Sequence, residues 1–126
     1  MKGLLDTSVV IADDAADLPE EAAISAATLA ELHFGIRLAK DEEKRSLRLR
    51  RLTEIESRFA PLPIDGAVAR AYGELAGLTV GAGRKVRARV MDLLIAATAR
   101  AHDLPLYTRD PEDFEPLSTL IEIRKA

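Results

Sequence analysis

Four carboxylates stand where apolar runs begin or end. Asp6 closes the run Gly3-Leu4-Leu5, Asp110 lies just past the run Leu104–Thr108, Asp92 enters a long apolar stretch, and Glu31 has Leu29, Ala30 and Leu32 around it. A charge set against apolar residues is costly unless something compensates it. If the four converge, they repel one another, and either their pKa values rise or a cation binds. Mg2+ prefers hard oxygen ligands, keeps several of its waters and suits an acidic pocket facing phosphate. A pair of such ions about 4 Å apart activates water and steadies the leaving oxygen in phosphodiester cleavage. Each acid also has a plain structural role open to it. Asp6 can cap a helix beginning at Thr7, Glu31 can lie on a surface, Asp92 can be a helix-start charge, and Asp110 can shape the turn before Pro111. Asp113 can cap the short turn before Phe114. The chemical reading rests on the four acids together.

Other chemistries fit less well. The chain has no cysteine, which excludes disulfides and thiolate chemistry and suits a reducing compartment. A metal-free ribonuclease needs two histidines as acid and base, and only His33 and His102 exist. His102 ends an apolar helix, where a cation suits the dipole, and His33 has no evident partner. A phosphoaspartate hydrolase wants a second Asp two residues after the first, where Ser8 stands. Gly81-Ala82-Gly83 lacks the third glycine and the preceding strand of a nucleotide loop.

The net charge of −3 argues against a simple basic nucleic-acid binder, yet most of the 18 basic residues fall in two stretches. Arg37, Lys40, Lys44, Arg45, Arg48, Arg50, Arg51 and Arg58 are interleaved with Asp41, Glu42, Glu43, Glu54 and Glu56, the pattern of a solvated helix face. Arg84, Lys85, Arg87 and Arg89 have no acid among them and suit contacts to phosphate, which position a ligand without reading sequence. Phe34, Phe59, Tyr72, Tyr107 and Phe114 are the only aromatic residues, so base stacking is not the main source of affinity.

The elements that must carry these residues follow from period and punctuation. At 126 residues, 48% hydrophobic and 31% charged, the chain suits one globular domain over residues 1–126. No apolar run approaches the roughly 20 residues that span a bilayer. Asp6 interrupts the first apolar run too early for a secretion signal, so the expected compartment is the cytoplasm. Short strands are expected at Gly3–Leu5, Ala22–Ser25, Leu62–Ile64, Leu104–Thr108 and Leu120–Ile123. Thr7 and Ser8 open a short helix through Val9 to Ala12. A long helix carries Leu29, Leu32 and Ile36; another spans Asp41 to Phe59 with Leu49, Leu52, Ile55 and Phe59 on one stripe and is ended by Pro61 and Pro63. Asp65 caps a helix with Val68, Tyr72, Leu75 and Leu78; Gly77, Gly81 and Gly83 loosen the chain; and a last helix runs from Arg89 to His102, where Ala96, Ala97 and Ala99 allow close packing. Short apolar strands alternating with helices imply a parallel sheet covered on both faces, an α/β fold whose ligand site lies beyond the carboxyl ends of the strands.

The ordered segments Leu-Leu-Asp-Thr-Ser-Val-Val-Ile (4–11), Thr-Leu-Ala-Glu-Leu (28–32) with Gly35, Asp-Leu-Leu-Ile-Ala-Ala-Thr-Ala (92–99) and Thr-Arg-Asp-Pro-Glu-Asp-Phe (108–114) resemble the PIN-domain family, and within it the VapC-type toxins. The resemblance implies a three-layer α/β/α sandwich with a central, mostly parallel sheet. It implies an endoribonuclease dependent on Mg2+ or Mn2+, with Asp6, Glu31, Asp92 and Asp110 as the acids that hold the metal and carry catalysis. Asp113 stands where some relatives place the last acid, so Asp110 and Asp113 share that assignment. Thr7, Ser8 and Thr108 match hydroxyl residues that orient acids or waters. Inhibition by a VapB-type antitoxin, a homodimer, and tRNA or ribosomal RNA as substrate are implied in the same way. The corresponding hydrolysis uses metal-activated water and leaves 5′-phosphate and 3′-hydroxyl ends. A different-class alternative is a PIN-like protein that binds RNA or an antitoxin without cutting.

Overall fold

The structure, a computed structural model, describes residues 2–12 and 17–126. Strands β1 (Lys2–Leu5), β2 (Glu21–Ala23), β3 (Leu106–Thr108) and β4 (Ile123–Lys125) form a sheet in the order β2-β1-β3-β4, and every pairing is parallel. From β1 the chain departs to one side for β2 and returns on the other for β3. The carboxyl ends of β1 and β3 therefore flank the crevice where such sheets bind ligands.

Alternate residues of the central strands feed two cores, as the two-residue period of a strand requires. Leu4 and Leu106 pack with Val68 and Leu75 of helix α4 (Gly66–Gly81) and with Leu93, Ile95 and Ala99 of helix α5 (Val90–Ala101). Leu5 and Tyr107 face the other way, onto Val9 and Val10 of α1 (Thr7–Val10) and Ile55 of α3 (Glu42–Arg58). Helix α2 (Ala26–Arg37) bridges the two groups through contacts with both α3 and α5. The result is the three-layer α/β/α arrangement. Ala96, Ala97 and Ala99 are fully buried, and their small side chains let α5 pack closely against its neighbours, α4 above all.

Short polar side chains fix the helix starts: Ser25 accepts from the Ala27 N–H, Asp41 from Lys44 and Asp65 from Val68. Helices α4 and α5 end alike. The Arg84 N–H reaches Thr79 O and the Gly83 N–H reaches Val80 O; the Leu104 N–H reaches Ala99 O and the Asp103 N–H reaches Arg100 O. These are Schellman closures, which need a left-handed residue just past the helix. Gly83 (φ 77°) and Asp103 (φ 52°) supply it.

Several boundaries differ from the sequence expectation, each for a local reason. Leu62–Ile64 is not a strand but a single parallel bridge between Leu62 and Ser25, made by Leu62 N–H to Ile24 O and Ala26 N–H to Leu62 O, both 2.9 Å. Pro61 and Pro63 have no N–H to extend it. The last strand starts at Ile123 rather than Leu120, because the Leu120 and Ile121 N–H groups are taken by Leu117 O at the end of a 3-10 segment, Pro111–Leu117. The strand then runs into Arg124 and Lys125, charges that suit a sheet edge. On α3, Leu52 and Ile55 are buried, but Leu49 is 52% exposed and leaves the expected stripe. The rest of the helix is exposed, as its interleaved charges suggest, but three of its arginines are engaged by backbone carbonyls. Arg45 donates to Ala39 O, Arg48 to Gly35 O, and Arg51 to Val10 O and Ala12 O. Carbonyls in and just past the last turns of α1 and α2 attract cations, so these arginines brace the fold.

Candidate active site

Asp6 follows β1 directly and is only 6% exposed. Three donors compensate its burial: the Thr7 N–H to Oδ1 at 2.9 Å, Ser8 Oγ to Oδ2 at 2.8 Å and Thr108 Oγ1 to Oδ2 at 2.9 Å. Ser8 also accepts the Arg109 N–H, and Thr108 accepts the Asp110 N–H. Each hydroxyl thus spends its proton on the same carboxylate oxygen and its lone pair on a backbone amide. The carboxylate is locked in orientation, with Oδ1 less fully engaged than Oδ2. Asp6 is also the N-cap of α1, so its structural and chemical roles coincide.

Glu31 lies on α2 and receives the Thr7 hydroxyl at 2.6 Å; Thr7 Oγ1 is also 3.1 Å from Thr28 Oγ1. Thr28 is fully buried and joins the network. The sequence signal for it was its position three residues before Glu31, which puts both on one helix face.

Asp92 occupies the first turn of α5, where the helix dipole favours a carboxylate. Its pKa is nevertheless pushed up to about 6, by burial first and then by the negative charges of Asp6, Glu31 and Asp113, against which Arg89 alone is opposed. These acids therefore share one negative field, which Arg89 only partly offsets. Among the described residues, no three acidic or imidazole side chains are close enough to form a ready-made ion site.

The last two acids separate. Asp110 is exposed, and its link to the network is its backbone N–H to Thr108. Asp113, one helical step on, acts on Asp92. The segment carrying Asp113 is held by Arg84, which donates to the carbonyls of Glu112 and Asp113, and by Arg89, which donates to Asp113 O at 3.0 Å. Half of the basic cluster is thus turned onto the site's own backbone, whereas Lys85 and Arg87 are exposed.

Beside the acids an apolar groove of about 480 Å3 opens between α2 and α3. Thr7 and Glu31 form its end nearest the acids; Ile11, Leu32, Leu47, Leu52 and Ile55 line it, with Arg48 and Arg51. Ile11 and Leu47 are more than half exposed. No described helix is long and apolar enough to cross a membrane.

Comparison with known proteins agrees with this fold. A family model described as the PIN domain matches residues 4–118. The chain is similar to ribonuclease VapC5 of Mycobacterium tuberculosis, 38% identical over 121 residues that cover 91% of this chain and 87% of that one. Its fold matches the crystal structure of VapBC-5 from Mycobacterium tuberculosis, a member of the VapBC family of toxin–antitoxin systems, with a TM-score of 0.87, 38% identity, and 99% and 98% of the two chains covered. It also matches FitAcB from Neisseria gonorrhoeae with a TM-score of 0.78 and 29% identity over 98% and 96% of the chains.

Proposed function

The chain belongs to the PIN-domain family, and on that footing we propose that it is the toxin of a toxin–antitoxin pair, an endoribonuclease dependent on Mg2+ or Mn2+ that hydrolyses tRNA or ribosomal RNA in the cytoplasm. Its likeness to a protein named as a ribonuclease supports the nuclease reading. The observation that supports the metal dependence is the gathering of Asp6, Glu31 and Asp113 around Asp92, whose pKa is pushed up to about 6 by its burial first and then by those three charges, with Arg89 only partly offsetting them. An all-oxygen, anionic donor set of this kind fits Mg2+. Asp6 and Asp92 would hold the ion, with Glu31 and Asp113 or Asp110 completing its surroundings. A divalent ion bound there supplies activation of water and neutralisation of charge at the phosphodiester.

The chain's own side chains do the rest. Ser8 and Thr108 fix the plane of the Asp6 carboxylate. Thr7 orients Glu31, which can then accept a proton from water. Arg84 and Arg89 hold the Asp113 segment in place, and Lys85 and Arg87 meet the RNA backbone. The apolar groove suits an antitoxin segment with apolar side chains. Because Thr7 and Glu31 form its inner end, such a partner covers the acids it silences.

The test is cleavage of total RNA by purified protein freed of any antitoxin. We expect cutting with Mg2+, leaving 5′-phosphate ends, and loss of cutting with a chelator and with Asp92→Asn. Equal cutting in all three samples would refute the metal chemistry. RNA binding without cutting under every condition would favour the non-catalytic alternative.

A further inference from the structure

We propose that the hydroxyl pair Ser25–Thr98 is a positioning device for the acidic site, locking the helix that carries Glu31 against the helix that carries Asp92. The inference rests on the metal-nuclease reading above but concerns residues outside its acid set. Ser25 Oγ and Thr98 Oγ1 are 3.0 Å apart, and both residues are fully buried. Their proton directions are determined by what else they touch. Thr98 donates to Leu94 O at 2.8 Å within α5, so its oxygen is the acceptor toward Ser25. Ser25 therefore donates, and its own oxygen accepts the Ala27 N–H at 3.0 Å in the first turn of α2. An unbroken run of three hydrogen bonds thus leads from the start of α2 to the backbone of α5.

A buried polar link of this kind is directional and specifies one placement of the two helices. Breaking one member leaves its partner unsatisfied in the core. The surrounding alanines and leucines make contacts that are individually weak and tolerant of small shifts. Glu31 lies six residues after Ser25, and Asp92 lies six residues before Thr98. Each acid is therefore under two helical turns from the bridge, on a stiff rod of 3.6 residues per turn. Thr28, which touches Thr7 in the acid network, lies between Ser25 and Glu31 on the same helix. A displacement of about 1 Å at such a distance is enough to cost on the order of a hundredfold in a reaction that depends on alignment.

The test compares Thr98→Val, which keeps the shape and removes the hydroxyl, with Thr98→Ser, which keeps the hydroxyl. Both are studied as the full chain, well below their melting transitions. The readouts are calorimetric titration with Mg2+ alone, RNA affinity measured with bulk tRNA, and the maximal rate of cutting end-labelled bulk tRNA. We expect Thr98→Val to bind tRNA like the wild type, yet to lose on the order of tenfold in Mg2+ affinity and in maximal rate. Thr98→Ser should recover both to within about twofold. Should Thr98→Val fail to fold, Ser25→Ala, which leaves Thr98 bonded to Leu94, carries the same expectation. A folded variant with a lower melting temperature but wild-type Mg2+ affinity and maximal rate overturns the inference, since the bridge then serves stability alone. A wild-type protein that neither binds Mg2+ nor cuts overturns the metal reading itself.

Discussion

Asp92 sits where its charge is unwelcome, and that has a measurable sign. In the folded chain its carboxyl keeps a proton up to about pH 6, against 3.8 for the free group. The folded state thus binds more protons between those values, so the contribution of this group to stability is greatest at low pH and is lost as pH rises through about 6. Thermal melts in chelator at about pH 5 and about pH 7.5 should show Asp92→Asn gaining on the wild type at the higher pH, and Mg2+ should narrow the gap. A melting difference independent of pH would contradict this account. The last acid allows a second comparison. Asp113 acts on Asp92 and Asp110 is not among the charges that do, so Asp113→Asn should reduce Mg2+ affinity and cleavage more than Asp110→Asn does. The reverse order would return Asp110 to the centre. Asp6, Glu31 and Asp92 were legible in the sequence because an acid amid apolar residues is conspicuous. Ser25 and Thr98 were not, because a hydroxyl that spends its hydrogen bonds inside the core looks in sequence like any small core residue, and Thr28 was signalled only by its spacing from Glu31. The turning of Arg84 and Arg89 onto carbonyls was hidden for a related reason, since composition counts charges but does not say what they face.

At the scale of elements, periodicity was a good guide where a face is buried and a poor one where backbone bonding decides. Every helix carrying a clear apolar repeat formed, and the parallel sheet followed from the alternation of strands and helices. The strand ends shifted because Ser25 was recruited to cap α2 and because the Leu120 and Ile121 amides were claimed by Leu117. The two Schellman closures give an element-scale prediction. Gly83 occupies the left-handed position after α4 without steric cost, whereas Asp103 occupies the same position after α5 with a side chain. Asp103→Gly should therefore stabilise the protein by about 0.5–1 kcal/mol in denaturant unfolding, with cleavage unchanged. A loss of stability would mean that the Asp103 side chain contributes more there than its backbone strain costs.

At the scale of the whole molecule, the groove between α2 and α3 joins an apolar surface to the acids. Leu47 lines the groove and is 59% exposed, so Leu47→Asp perturbs the groove with little cost to the core. Co-purification with the cognate antitoxin should weaken for this variant, while the antitoxin-free protein keeps its cleavage rate and melting temperature. Undiminished antitoxin binding would move the inhibitory contact elsewhere.

The bond from Thr108 to Asp6 closes a separation of 102 positions in the chain. Read along the direction of synthesis, that separation is a delay. At about 5–20 residues per second, a ribosome needs roughly 5–20 s between adding the acid and adding the hydroxyl that orients it. The strand pairing that brings them together, β1 on β3, waits for the same late residues. A nascent chain therefore carries its early acids for seconds without an assembled site, and whatever chemistry the site performs must wait until nearly all of the fold has been delivered.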